Sequence, residues 1–227
     1  MTFPFPTFGP LVAGGNDAFT KLLLHFDGVD GATSIVDSSP SGNLITSVGG
    51  AQIDTDQSKF GGSSLLLNGS STYLTAPDSP DWDFTADFTI DAWVRLSSIS
   101  GPRVIASVYS GSSLGWSFQF RGDRGSTLLF GSGDTVIIER PWGPSINTWY
   151  HVAVARISGT LRLFINGVQS GAVQSNTASF SGTTTPLQIG RLSGLGFVFA
   201  GWIDELRVSN GIARWTENFS PPSRPYG

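Results

Sequence analysis

Between Asp87 and Leu96 the chain alternates without a slip. Phe88, Ile90, Ala92, Val94 and Leu96 occupy one set of positions, and Asp87, Thr89, Asp91, Trp93 and Arg95 the other. A period of two sends successive side chains to opposite faces of an extended backbone, so this stretch reads as a strand with one face buried. Such a strand needs a second layer to cover it, and the rest of the sequence offers many. Leu22 to Phe26 is an apolar run ended by Asp27-Gly28; Ser64 to Leu67 ends at Asn68-Gly69, and Thr72 to Thr75 resumes soon after. Tyr150, Val152 and Val154 share one strand face, and Leu161, Leu163 and Ile165 share the next, with Ser158-Gly159 turning the chain between them. Asn166-Gly167 then supplies the pair that a tight hairpin with positive φ requires. Leu187 to Ile189 and Phe197 to Val208 complete the set.

About a dozen short strands separated by turn residues predict two packed antiparallel sheets. The composition agrees. The chain carries 29 Gly and 13 Pro against two Lys and three Glu, so good surface-helix formers are scarce. Its 227 residues are enough for one large all-β domain, and no internal repeat or linker divides it. Residues 1 to 20 are the exception. Phe3, Phe5 and Phe8 alternate with Pro4, Pro6 and Pro10, which favours an extended arm, read either as a disordered terminus or as a docking peptide that orders against a partner or a neighbouring subunit. The domain itself is expected over 21–227.

Several function classes fall away at once. There is no Cys, which removes thiol catalysis, disulfides and Cys-ligated zinc, and only His25 and His151 remain for a histidine-based centre. The formal charge is −4 with no basic cluster, so binding to nucleic acid through its phosphates is not expected. The uncharged run from Val104 to Phe120 is broken by Ser107, Ser110, Ser112 and Ser113, so membrane insertion is not expected either. The proline-broken start, without a positive segment, reads as no ordinary signal peptide.

Seven segments, in order, resemble a known family: 22–28 (LLLHFDG), 36–42 (VDSSPSG), 59–65 (KFGGSSL), 87–94 (DFTIDAWV), 147–153 (NTWYHVA), 163–167 (LFING) and 201–208 (GWIDELRV). Together they resemble laminin-G-like, concanavalin A-like jelly-roll domains. The closing run 209–222 is similar to the end of such domains in bacteriophage structural proteins. The resemblance implies a two-sheet antiparallel β-sandwich of jelly-roll type. It further implies a virion origin, with head or tail proteins or the chain's own subunits as partners. A secreted or surface lectin is the alternative. The scaffold hosts lectins, hydrolases and structural modules alike, so the fold alone does not select among them.

Catalysis is not expected. A glycosidase needs two carboxyl groups about 5–9 Å apart across the scissile bond. Glu139, Glu205 and Glu217 share no strand, and Asp87 with Asp91 is the best pair available, read otherwise as solvated strand residues. Metal binding has more to recommend it. Strict alternation along 202–208 groups Asp204 with Trp202, Leu206 and Val208, a core-facing set in which an ionised carboxylate needs a cation or strong donors. Asp27 closes the first strand in a carbonyl-rich turn. Jelly rolls similar to this one hold a structural calcium with the aspartate placed as Asp204 is, so one structural Ca²⁺ on Asp204 and Asp27 is expected. The plainer alternative has Asp204 capping a loop or pairing with Arg207 or Arg214.

A sugar site needs an aromatic face with hydrogen-bonding side chains beside it. Trp142 sits between Pro141 and Pro144; Tyr109 and Trp116 flank the loop 110–115, with Arg121 and Asp123 following. These five are the expected ligand residues for a cell-surface glycan, with Trp142 as a packing plug the competing reading. The tryptophans at 82, 93, 149, 202 and 215 belong to the recurrent motifs and are expected in the core.

Overall fold

The protein is described by a computed structural model covering residues 15–109 and 115–227. Phe3, Phe5 and Phe8, and with them the expected docking arm, lie outside the described residues. In chain order the strands are β1 (Thr20–Leu24), β2 (Thr46–Val48), β3 (Gln52–Asp54), β4 (Ser64–Asn68), β5 (Tyr73–Ala76), β6 (Phe88–Leu96), β7 (Pro102–Tyr109), β8 (Gly115–Arg121) and β9 (Thr127–Ser132). There follow β10 (Thr135–Pro141), β11 (Trp149–Ile157), β12 (Thr160–Ile165), β13 (Val168–Gln169), β14 (Gln174–Ser175), β15 (Leu187–Ile189), β16 (Arg191–Leu192), β17 (Phe197–Val198) and β18 (Ala200–Asn210).

These strands build the sandwich that the alternation predicts. One sheet has nine strands, ordered β13-β12-β11-β6-β18-β4-β3, with β1 also on β18 and β14 also on β12. The other has seven, ordered β10-β9-β8-β7-β15-β5-β2, and the hairpin β16–β17 forms a small third sheet. Neighbours pair antiparallel throughout. The core between the layers takes Phe88, Ile90, Ala92, Val94 and Leu96 from β6, as their alternation requires, and Trp116, Phe118 and Phe120 from the facing β8. The hairpin at Asn166-Gly167 turns with φ of 49° and 76°. Only glycine fits its second position, because an added Cβ would overlap the Phe219 carbonyl. Among the described residues no helix is long and apolar enough to cross a membrane.

Alternation left the outward faces open, and both are roofed. Over the nine-stranded sheet lies the segment after β18, where Trp215 and Phe219 stack at 4.0 Å and pack with Ala153, Ala155 and Phe164. Asp91 is therefore not the solvated residue its position suggested. It is fully buried, with Arg207 Nε donating to Oδ1 at 3.0 Å and the Tyr226 hydroxyl donating to Oδ2. The described part of the arm is also docked rather than free. Thr20 opens β1, and Asp17 holds Arg214 through two bonds of 2.7 Å. The Asn16 amide reaches the Gly227 carbonyl at 2.7 Å, so the packed unit begins by residue 15 rather than at 21.

Candidate functional site

On β8 the core takes every second side chain, which turns Ser117, Gln119 and Arg121 outward onto the far face of the seven-stranded sheet. There the β16–β17 hairpin covers them. Leu192, Leu195 and Phe197 come down from the hairpin, Leu129, Gly131, Thr135 and Val136 rise from β9 and β10, and Gly133 and Asp134 close one end. The half-open cleft has a volume of about 240 Å³. That is slightly below the ~300–1,000 Å³ of drug-sized sites, and suits a small polar ligand.

Its chemistry is mixed. Gln119 is only 4% exposed, and its Nε2 donates to Ser117 Oγ at 3.1 Å while Oε1 has no partner among the described residues. Turning the amide over exchanges the two atoms and leaves one unmatched all the same, and a buried unmatched polar atom is costly. Arg121 donates to Asp123 through Nε and Nη2 at 2.9 and 2.7 Å, and its guanidinium lies 5.1 Å from the Phe197 ring centre. That guanidinium holds the Asp123 carboxyl below its usual range. The Tyr109 hydroxyl donates to Asp134 Oδ1 at 2.8 Å; burial first, and then Asp134, push the phenol above its ordinary value.

Of the five expected ligand residues, three meet around this cleft: Arg121 in its wall, Asp123 through Arg121, and Tyr109 through Asp134. The other two are corrected. Trp116 faces the core, stacks on Phe84 at 5.1 Å and donates its indole N–H to the Trp82 carbonyl at 2.9 Å. Trp142 is the plug, 5% exposed and edge-on to Phe120 and Tyr150 at 5.5 Å each. Gln119, Asp134 and Phe197 were missed. The alternation that buries Trp116, Phe118 and Phe120 already pointed Gln119 outward; nothing local showed that a hairpin seventy residues on would cover it.

The expected metal residues stand elsewhere, on the nine-stranded sheet. Asp204 does not share a face with Leu206 and Val208. Glu205 adopts a φ of 50°, and the pairing of β18 with β6 shifts register between Asp204 and Arg207. This bulge puts Ile203, Leu206 and Val208 in the core while Asp204 pairs beside Trp93, outside it. Asp204 is nonetheless buried. Its Oδ2 accepts from the Lys59 and Phe60 amides at 2.7 and 3.1 Å, whereas Oδ1 has no hydrogen-bond partner among the described residues. Burial pushes its pKa up to about 7, with the Glu205 charge adding to the rise and the backbone amides of Phe60, Lys59 and Glu205 opposing it. Asp27 is exposed, its carboxylate lying against Gly61 in the same 59–62 turn. Among the described residues no three His, Asp or Glu gather as a cation cage. The feature that suits calcium is the single unmatched Oδ1, and carbonyls and water would have to complete a shell of 6–8 oxygens.

The proposed acid pair for glycoside hydrolysis does not form. Asp87 accepts from the Ser158 amide at 2.8 Å, and Asp91 is locked to Arg207 and Tyr226. Four residues along one strand also separate the two by about 13 Å, beyond either glycosidase geometry. His25 is bound to Glu205 at 2.7 Å, which raises its pKa, and His151 lies 3.4 Å from both Asp91 and the Tyr226 hydroxyl.

Comparison with known proteins agrees with this architecture. Domain 4 of AbnA, a GH43 extracellular arabinanase from Geobacillus stearothermophilus solved in complex with arabinotriose, superposes with a TM-score of 0.63 at 20% identity, over 86% of this chain and 93% of that one. The binding domain of Paraclostridial Mosquitocidal Protein 1 gives 0.64 at 15% identity, over 86% of this chain and 50% of that one. A structure of botulinum neurotoxin type C, whose cell entry depends on interaction with two ganglioside molecules, gives 0.61 at 14% identity, over 86% and 49%. The chain thus spans nearly all of the arabinanase domain and about half of the toxin chains. No curated protein sequence matches it. The family model described as concanavalin A-like lectin/glucanases superfamily, of laminin-G type, matches residues 68–217. With two thirds of its length covered by that model and both sheets in place, this chain belongs to the concanavalin A-like lectin/glucanases superfamily.

Proposed function

We propose that the chain is a non-catalytic carbohydrate-binding module that holds a short saccharide in the cleft beneath the β16–β17 hairpin. The observation that carries this reading is Gln119, a buried amide that lines the cleft and has one polar atom unmatched among the described residues. A sugar hydroxyl, both donor and acceptor, answers either orientation of that amide. Beside it Phe197, Leu192 and Val136 offer apolar surface for a sugar's C–H face. The arabinotriose complex of the similar arabinanase domain supports a saccharide as ligand.

Calorimetric titration with arabinotriose and other short oligosaccharides tests the proposal. Wild type should bind, and Gln119→Ala should weaken binding about tenfold while the circular dichroism spectrum stays the same. Equal affinity of the two proteins would refute the site, and release of reducing ends from any of these sugars would refute the non-catalytic part.

In the same reading Oδ1 of Asp204 is the seat of a structural calcium ion, on the opposite sheet from the cleft and without contact to the sugar. The module meets its glycan outside the cell, on a secreted protein or a phage particle, with Phe3, Phe5 and Phe8 as its attachment segment. Deleting residues 1–14 should then release it from its carrier at unchanged saccharide affinity.

A further inference from the structure

We infer that the cleft selects neutral saccharides and turns away anionic ones, an inference that rests on the saccharide reading above. The charged side chains in its wall are Arg121, Arg124 and Asp134. A protein that grips a sugar carboxylate or sulfate does so with the free fork of a guanidinium. Here one edge of each guanidinium is taken, and its charge is paired. Arg121 spends Nε and Nη2 on Asp123 at 2.9 and 2.7 Å, and Arg124 spends Nε and Nη2 on Glu139 at 3.0 and 3.1 Å. Thr127 braces the second pair, its hydroxyl donating to Glu139 at 2.6 Å.

Asp134 has no such counter-charge in the cleft wall; the bond it accepts there comes from the Tyr109 phenol. With the carboxylates paired to the wall arginines, Asp123 and Glu139, counted beside Asp134, two guanidinium groups face three carboxylates, a net charge of −1. An anionic sugar would meet arginines whose charge is already paired, and Asp134 as well. Like charges brought together in this way are the usual means by which a site rejects a wrong partner. The uncommitted group is the neutral amide of Gln119, which pairs with hydroxyls and acetamido groups and gains nothing from a charge.

The test is a set of calorimetric titrations at low salt, with arabinotriose, cellotriose and maltotriose as neutral probes and 3′-sialyllactose and trigalacturonic acid as anionic ones. At least one neutral probe should bind wild type about tenfold or more tighter than either anionic probe. Asp123→Asn, at an exposed position, frees the Arg121 fork and should shrink that ratio. Anionic probes binding as tightly as neutral ones, with Gln119→Ala still weakening both, would overturn the selectivity and leave the saccharide site standing. Binding by neither class, or binding indifferent to Gln119→Ala, would remove the saccharide site and this inference with it.

Discussion

Raising the pH should loosen this fold through one carboxyl group. Asp204 titrates at about 7 when folded, because burial outweighs the two amides that hold its Oδ2. In the unfolded chain an aspartate titrates near ~3.9. Between these values the folded protein keeps a proton that the unfolded chain has released, so acid favours the fold and stability is lost as pH climbs from about 4 through 7. At ~1.4 kcal/mol for each tenfold change in proton concentration, the whole interval is worth about 4 kcal/mol. For a chain of this size that corresponds to about 8–16 °C in melting temperature. The comparison protein is Asp204→Asn, which still offers an oxygen to the Lys59 and Phe60 amides and cannot ionise. Both proteins would be melted in EDTA at pH 5 and pH 8.5, followed by tryptophan fluorescence. Groups remote from Asp204 titrate equally in the two, so the difference between their shifts reports Asp204 together with His25, whose pKa it helps to raise. From pH 5 upward about 2.7 kcal/mol of that interval is crossed, so wild type should lose about 5–11 °C more than the variant; parallel shifts would refute the argument. Adding CaCl₂ at pH 8.5 should then restore wild type and leave the variant unchanged, and a wild type that ignores calcium removes the ion from Oδ1.

Three further outcomes follow from the packing. Tyr226→Phe strips a hydroxyl from the buried Asp91 carboxylate and should cost about 1.5–3 kcal/mol, read as a melting temperature lower by about 3–12 °C. Trp142→Ala opens the end of the core against Phe120 and Tyr150, and should cost about 3–5 kcal/mol in urea titrations. If it instead removed saccharide binding at unchanged stability, Trp142 would be a ligand residue after all. His25 should titrate above its ordinary value by NMR, because Glu205 stabilises the imidazolium. Its contribution to stability is complete below the unfolded pKa and fades as pH rises through the folded one, the same direction as Asp204.

The sandwich was legible because alternation is local. Each of Phe88, Ile90, Ala92, Val94 and Leu96 announces its face through its two neighbours, and Asn166-Gly167 announces its turn by residue type. The bulge in β18 had no such sign. Glu205, a residue without special liking for positive φ, is held there by its carboxylate, which meets His25 at 2.7 Å and the Tyr226 amide at 3.0 Å. Those partners lie 180 and 21 residues away, so period-two counting ran straight through the bulge and put Asp204 on the wrong face. The same limit explains Trp116: standing beside a loop in sequence, it belongs by register to the core face of β8.

What sets function here is a distinction that alternation does not make. It separates inward from outward, but an outward residue is either solvated or roofed, and roofs come from distant parts of the chain. Asp91 and Gln119 are both outward polar residues on central strands, and both are buried. Beneath the C-terminal segment the chain supplies Asp91 with its own partners, Arg207 and Tyr226, on both oxygens, so that burial ends in a closed ion pair. Beneath the β16–β17 hairpin no described residue completes Gln119, and a cleft of about 240 Å³ is left beside it. A buried polar atom that the chain leaves unmatched next to open volume gains from a ligand what Asp91 already gains from Tyr226. In the proposed reading the two roofs divide the molecule's work, one closing the fold and the other keeping a place for a saccharide.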